Sequence, residues 1–207
     1  LKPEKSLNYE AGSSFKADGV FGSDDHLFAK AVFFYDDVKD FIAPKGWFEP
    51  TTPPTVYYSS QNVGHVVRKG IELSGTYAAG QFSTSVSYGL LHAVDKETNE
   101  RMNGITPQSA NLKLAYAFPA QAINVWYRAH WSKGGESSVE DRATGKNLHF
   151  SSFLTHSLGA EWSPKVADLA NLQAGIAVVN LFDKEYRMLN GSYGSGRGVR
   201  LWLSAQF

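Results

Sequence analysis

Apolar and polar residues alternate one by one along most of this chain, which is the period of a strand with one apolar face. Between Gln81 and Leu90, Phe82, Thr84, Val86, Tyr88 and Leu90 share one face, and Ser83, Ser85, Ser87 and Gly89 the other. Leu112, Leu114, Tyr116 and Phe118 oppose Asn111, Lys113, Ala115 and Ala117 in the same way. At the C-terminus Val199, Leu201, Leu203, Ala205 and Phe207 oppose Arg200, Trp202, Ser204 and Gln206. The pattern predicts nine strands: Lys5–Ala17, His26–Ile42, Thr55–Tyr77, Gln81–Ala93, Gln108–Phe118, Ala122–Ser132, Leu148–Trp162, Leu169–Leu181 and Arg197–Phe207. Helical periodicity is weak throughout; its best stretch, Lys165 to Leu172, is short and follows Pro164.

Most of these strands exceed the ~5–6 residues usual in globular sheets. They are long enough for a tilted strand to cross a bilayer, which takes ~9–11 residues. The connections alternate in length. Ala78–Gly80 and Pro119–Gln121 are tight, and Asp18–Asp25 and Ser163–Asp168 modest. Ala43–Pro54, Val94–Pro107, Lys133–Asn147 and Phe182–Gly196 are long. Short turns at one end and long loops at the other are the plan of an outer-membrane barrel, with the long loops outside the cell. A soluble sandwich also alternates, but its strands are shorter and more evenly spaced.

Charge supports the membrane reading. Glu10, Lys16, Lys30, Glu72, Lys113, Arg128, Glu161 and Arg200 all fall on the face opposite the apolar residues. A Lys or Arg on the lipid face costs roughly 2–4 kcal/mol at the midplane. His156 is the exception, sharing the parity of Leu154, Leu158 and Trp162.

Composition adds limits. Lys+Arg and Asp+Glu are both 20 in 207 residues, which gives no sign of a nucleic-acid partner. There is no cysteine, hence no disulfide framework or thiolate metal site. No apolar run is long enough for a transmembrane helix, which leaves a barrel open. The chain starts at Leu1-Lys2-Pro3-Glu4, with no initiating Met or export signal. An odd strand count and that start predict a piece of a longer barrel, lacking its N-terminal portion.

Several stretches resemble the TonB-dependent outer-membrane receptors. These are Leu1 to Ser6 followed by Tyr9-Glu10, Phe34 to Ile42, and Gln61-Asn62-Val63-Gly64 with Lys69-Gly70-Ile71-Glu72-Leu73. Asn180-Leu181-Phe182-Asp183-Lys184-Glu185-Tyr186, Tyr193 to Arg197 and the terminal strand ending at Phe207 complete the series. Each is weak alone, but their order covers nearly the whole chain. Ala205 departs from the tyrosine that the family often carries there. The resemblance implies an all-β fold, a transmembrane antiparallel β-barrel segment making up about the last nine strands of a barrel of about 22. The plug, the earlier strands and the TonB-contacting region would be absent. Expected partners are outer-membrane lipid, the TonB complex through that absent N-terminal region, and the barrel-assembly machinery through the strand ending at Phe207. No nucleic acid is expected.

The function expected is active import of a small-molecule iron complex, a ferric siderophore ahead of haem, with vitamin B12 or a sugar also open. No covalently bound cofactor, catalytic residue or resident metal is expected. A passive porin is the alternative, though the lumen face shows no clear ring of charge. A barrel enzyme would need an acidic and histidine cluster, and the only dense acidic group, Asp36, Asp37 and Asp40, reads with Lys39 as a solvated strand end.

Ligand contacts should come from external loops and the upper lumen. Trp47, Phe48, Tyr57 and Tyr58 lie in or beside the first long loop, where aromatic faces could stack on a porphyrin or catecholate. Arg101, Arg142, Arg187 and Arg197 suit anionic groups. Among the histidines, His92 and His149 border external loops and His130 faces inward near the top of its strand. A histidine is a possible axial ligand for haem. Tyr193 completes the candidate set. The Asn180–Asp183 stretch reads as fold punctuation rather than chemistry. Gly64 and Gly70 read as relief for a curved wall.

Overall fold

The computed structural model describes residues 1–49, 55–62, 64–140, 145–165 and 171–206. Their strands are β1 (Lys5–Asp18), β2 (Asp25–Lys39), β3 (Ile42–Glu49), β4 (Thr55–Asn62), β5 (Val66–Ala79), β6 (Phe82–Asp95) and β7 (Gln108–Phe118). β8 (Ile123–Ser132), β9 (Gly135–Glu140), β10 (Asn147–Phe150), β11 (Phe153–Trp162), β12 (Asn171–Val179) and β13 (Gly198–Gln206) follow. One sheet of nine strands runs in the order β1-β2-β5-β6-β7-β8-β11-β12-β13. β3–β4 and β9–β10 form two separate two-stranded ladders.

The nine strands of the main sheet match the nine expected from alternation. Two of the expected strands are divided. Thr55–Tyr77 breaks into β4 and β5, because Gly64 takes a left-handed φ of 102° that other residues rarely adopt. Gly64 therefore ends a strand instead of relieving the curve of one. Leu148–Trp162 likewise breaks into β10 and β11. The expected loops Ala43–Pro54 and Lys133–Asn147 contain strands β3 and β9. The last expected strand ends in Phe207, which lies outside the described residues.

The chain divides into two compact units. The first comprises Leu1–Ala11, Phe33–Gly70 and Leu91–Met102. Hydrogen bonds from polar side chains hold it. Asp36 is buried and accepts from Ser6 Oγ at 2.6 Å and Arg68 Nε at 2.9 Å. His65 Nε2 lies 2.8 Å from Asp37 Oδ1. The amide of Asn62 donates to the carbonyls of Lys2 and Asp40, at 2.9 and 2.6 Å. Asp36 and Asp37 are thus tied up in contacts near the end of β2, and Asp36 is buried against Ser6 and Arg68 instead of solvated as expected.

The second unit comprises Gly12–Val32, Ile71–Leu90 and Asn103–Phe207. The turn between β1 and β2 is pinned by Asp25, which is 1% exposed. Its carboxylate accepts the backbone N–H groups of Val20, Phe21 and Gly22 at 2.7–2.9 Å and the Tyr77 hydroxyl at 3.1 Å. Between β7 and β8 a three-residue 3-10 turn, Pro119–Gln121, delivers the tight connection expected there.

The two faces of the strands differ as the parity argument requires. Phe15, Leu73, Val86, Tyr116, Leu154, Leu158, Ile176, Leu201 and Leu203 are exposed, and each lies on its strand's apolar face. The opposite face packs with itself. One register row across it reads Ser83, Ala115, Trp126, Gly159, Ala177 and Arg200. The next reads Asn124, Glu161, Gly175 and Trp202. A side chain at Gly159 would collide with the Trp126 indole, and one at Gly175 with that of Trp202. The glycines are sockets that let each indole lie across the neighbouring strand. Trp126 is 6% exposed and forms a small core with Ala115, Ala177 and Trp202, and the Arg128 guanidinium sits 4.9 Å from its ring.

His156, the parity exception, is provided for on the outward face. Its Nδ1 lies 2.5 Å from the Tyr127 hydroxyl, and Phe182 packs edge-on against its ring at 5.0 Å.

Candidate functional site

At the end of the second unit that carries long connections, residues 149–153 together with residues 183–187, Tyr193, Gly194 and Gly196 line a cleft of about 710 Å³. That lies within the ~300–1,000 Å³ of small-molecule sites.

The segment after β12 is shaped by its own side chains. Asn180 and Asp183 take left-handed φ values of 49° and 53°, a conformation Asn and Asp tolerate better than most residues. The Asn180 amide, 5% exposed, donates to the carbonyls of Lys184 and Ser195, both at 2.9 Å. Its carbonyl oxygen accepts the Lys184 N–H at 2.9 Å. Asp183 Oδ1 accepts the Arg197 N–H at 2.7 Å. One asparagine thus fastens both ends of the connection together. This agrees with reading the Asn180–Asp183 stretch as punctuation, and it gives the punctuation a purpose, since the cleft wall hangs from it.

Beyond the clasp the chain folds back on itself. Gly194 N–H donates to the Tyr186 carbonyl at 3.0 Å and Met188 N–H to the Ser192 carbonyl at 2.9 Å. Leu189, at the turn, is buried, and its carbonyl accepts from Ser137 Oγ of β9 at 2.7 Å. Tyr186 stacks on Phe153 with ring centroids 4.1 Å apart.

The cleft brings together two of the residues expected from sequence, His149 and Tyr193. Arg187, also expected to suit an anion, lies between Tyr193 and Phe150. Its guanidinium donates to the Tyr193 hydroxyl, sits 3.9 Å from the Tyr193 ring centre and 5.7 Å from that of Phe150. His149 is exposed, and its Nδ1 lies 3.0 Å from Glu136 Oε1. A carboxylate only accepts, so the Nδ1 that faces it carries a proton, and the tautomer this selects has its lone pair on Nε2. A carboxylate on one ring nitrogen orients the imidazole and so prepares the other nitrogen to bind a metal centre.

The other expected residues are placed elsewhere. Trp47, Phe48, Tyr57 and Tyr58 belong to the β3–β4 ladder of the first unit, where Trp47 pairs with Tyr57 and Gly46 with Tyr58. Their side chains lie outside the described residues, as does Arg142. Arg101 is also in the first unit, bridged to Val94 and donating from Nη2 to the Leu91 carbonyl at 3.3 Å. His130 faces inward as expected, 2.7 Å from Asn111 Oδ1. Sequence reasoning missed Phe150, Lys184 and Tyr186 as cleft-lining residues. The signal was available for the last two, because the Asn180–Tyr186 stretch carries them straight off its strand into the loop.

Comparison with known proteins agrees with this architecture. A family model described as "TonB dependent receptor-like, beta-barrel" matches residues 1–181. The heme/hemopexin utilization protein C of Haemophilus influenzae is 24% identical over 205 residues, covering 97% of this chain and 28% of that protein. The TonB-dependent heme receptor A of Haemophilus ducreyi is 24% identical, covering 100% of this chain and 31% of its own. Among solved structures, the FrpB iron transporter from Neisseria meningitidis superposes with a TM-score of 0.70 at 22% identity, over 97% of this chain and 30% of its own. The chain thus spans about 30% of the length of the proteins it matches. With a matching model over most of its length and strands that are apolar on one face and polar on the other, the chain belongs to the TonB-dependent receptor β-barrels of the bacterial outer membrane.

Proposed function

We propose that the receptor containing this chain captures haem at the cell surface and imports it with energy delivered through TonB. The observation that carries this reading is the cleft's pairing of a carboxylate-backed histidine with a cationic and aromatic wall. His149 offers Nε2 as an axial ligand to iron. Phe150 and Tyr193 offer ring faces to a flat macrocycle. Arg187 and Lys184 offer charge to propionate carboxylates. Relatives named for haem and hemin, from Haemophilus and Yersinia, support haem over the siderophore that sequence alone placed first. TonB coupling would be supplied by a region that precedes this chain in the parent protein.

The test is a parallel titration of the full-length parent, purified in detergent, with hemin and with ferric siderophores. The reading expects saturable hemin binding at one equivalent and none for the siderophores. Siderophore binding without hemin binding would replace haem by that ligand, and passive flux of small solutes through the purified protein would favour a channel.

A further inference from the structure

A second cavity lies on the inward face of the same unit. Its volume is about 670 Å³, and its lining includes Trp126, Arg128, His130, Tyr186, Arg200 and Trp202. Tyr186 lines the external cleft as well, so the two spaces share a wall. Aromatic rings continue through that wall. Tyr186 stacks on Phe153, another cleft residue, at 4.1 Å, and the Phe153 ring centre lies 5.8 Å from that of His130.

The histidine is held in place from behind. Ser87, Asn111, His130 and Thr155 form one register row, next to the external end of β8 at Ser132. Asn111 Nδ2 donates to Ser87 Oγ at 3.1 Å, and its Oδ1 faces His130 Nδ1 at 2.7 Å. An amide oxygen only accepts, so Nδ1 carries a proton, and the tautomer this selects has its lone pair on Nε2. Arg128 lies one row of the same face towards the short turns, and Arg200 two rows. Among the described residues the ion pairs are those of His26, His65, Arg68 and His149. Glu161, which also lines the cavity, is therefore paired with neither arginine.

We infer that this lumen cavity is a transfer site, which takes the haem as it leaves the cleft. The inference rests on the haem reading above. His130 Nε2 would ligate the iron, and Arg128 and Arg200 would receive the propionates. Trp126, Tyr186 and Trp202 supply aromatic surface for the macrocycle. The three kinds of group select the occupant together. A peptide segment with a carboxylate would satisfy the arginines and leave the anchored imidazole without an electrophile. An anion that carries a metal centre in an aromatic ring satisfies all three.

The experiment uses the full-length parent, purified in detergent and titrated with hemin while the Soret band is recorded. In the His149→Ala background, where the cleft has lost its ligand, His130→Gln should shift the band a second time and lower hemin affinity at least fivefold further. With His149 intact, His130→Gln should leave affinity within twofold of wild type. It should still cut hemin-supported growth at least fivefold in cells that carry this parent as their sole haem receptor. An unmoved band and affinity in the double variant, or undiminished growth in the single one, would overturn the transfer site while leaving the cleft intact. A wild-type parent that binds no hemin would overturn the haem reading and the transfer site together. If His130→Gln fails to assemble, Arg128→Gln in the His149→Ala background decides by affinity. A loss of at least threefold supports the site, and lowered thermal stability with unchanged affinity, the mark of another protein segment in the cavity, overturns it.

Discussion

Asn180 offers the sharpest quantitative test of how the external cleft is held. Asn180→Ala removes one accepted and two donated hydrogen bonds, each at 2.9 Å, from a side chain that is 5% exposed. At about 1 kcal/mol net for each bond, the loss is about 3 kcal/mol. Alanine also lacks asparagine's tolerance of the left-handed φ of 49°, which adds roughly 1 kcal/mol. The sum, about 4 kcal/mol, is local rather than global, because the sheet registers do not pass through this side chain. Hydrogen exchange on the full-length parent reads it directly. The amides of Lys184, Gly194 and Arg197 should open several hundredfold more often at 1.4 kcal/mol per factor of ten, while those of β8 and β11 stay as in wild type. Asn180→Gly keeps the backbone freedom and loses only the bonds, so its loop should exchange about fivefold more slowly than that of the alanine variant. Loop exchange within threefold of wild type in Asn180→Ala would refute the clasp.

Three further outcomes follow from the same geometry. Gly175→Val should drive Trp202 from its socket and cost roughly 1–3 kcal/mol of overpacking. Thermal unfolding of the parent should show that Gly175→Val combined with Trp202→Ala costs less than the sum of the two. Asp25→Ala strips acceptors from three backbone N–H groups and should destabilise the β1–β2 turn by roughly 2–4 kcal/mol. Faster exchange confined to residues 19–26 is the expected result, and an unchanged turn would show that the carboxylate is dispensable. Arg187→Ala should weaken hemin binding by about tenfold through loss of a charge-assisted contact, while Arg187→Lys recovers only part, since lysine lacks the planar fork that lies over Tyr193.

The sheet was legible in the sequence because a single rule governs it. Each spanning strand must present carbon to lipid, so Phe82, Val86, Leu112 and Leu114 announce their face residue by residue. Alternation also explains what was misread. A strand that leaves the sheet to form an external ladder keeps the same period, so Thr55–Asn62 and Val66–Tyr77 read as one strand. What separates them is the backbone at Gly64, and a glycine in a strand pattern is equally consistent with a bulge. The β9–β10 ladder was hidden for a second reason. Gly135–Glu140 carries little apolar contrast from one residue to the next. The glycine sockets of Gly159 and Gly175 were invisible because the tryptophans that fill them come from other strands.

The site was legible in part. His149 and Tyr193 were flagged by residue type and by lying near long connections, and the structure brings them to one cleft. Their partnership depends on Glu136 and Arg187, whose proximity is set by tertiary pairing of β9 with β10 and by the fold-back after Asn180. No spacing along the chain encodes either.

Capture of haem in that cleft is tested most directly by the absorption spectrum of hemin bound to the full-length parent, wild type against His149→Ala. The account predicts a wild-type Soret band of histidine-ligated iron that shifts in the variant, with affinity lowered at least tenfold. An identical spectrum and affinity in the two proteins would contradict it, and would remove His149 and its cleft from the path of the ligand.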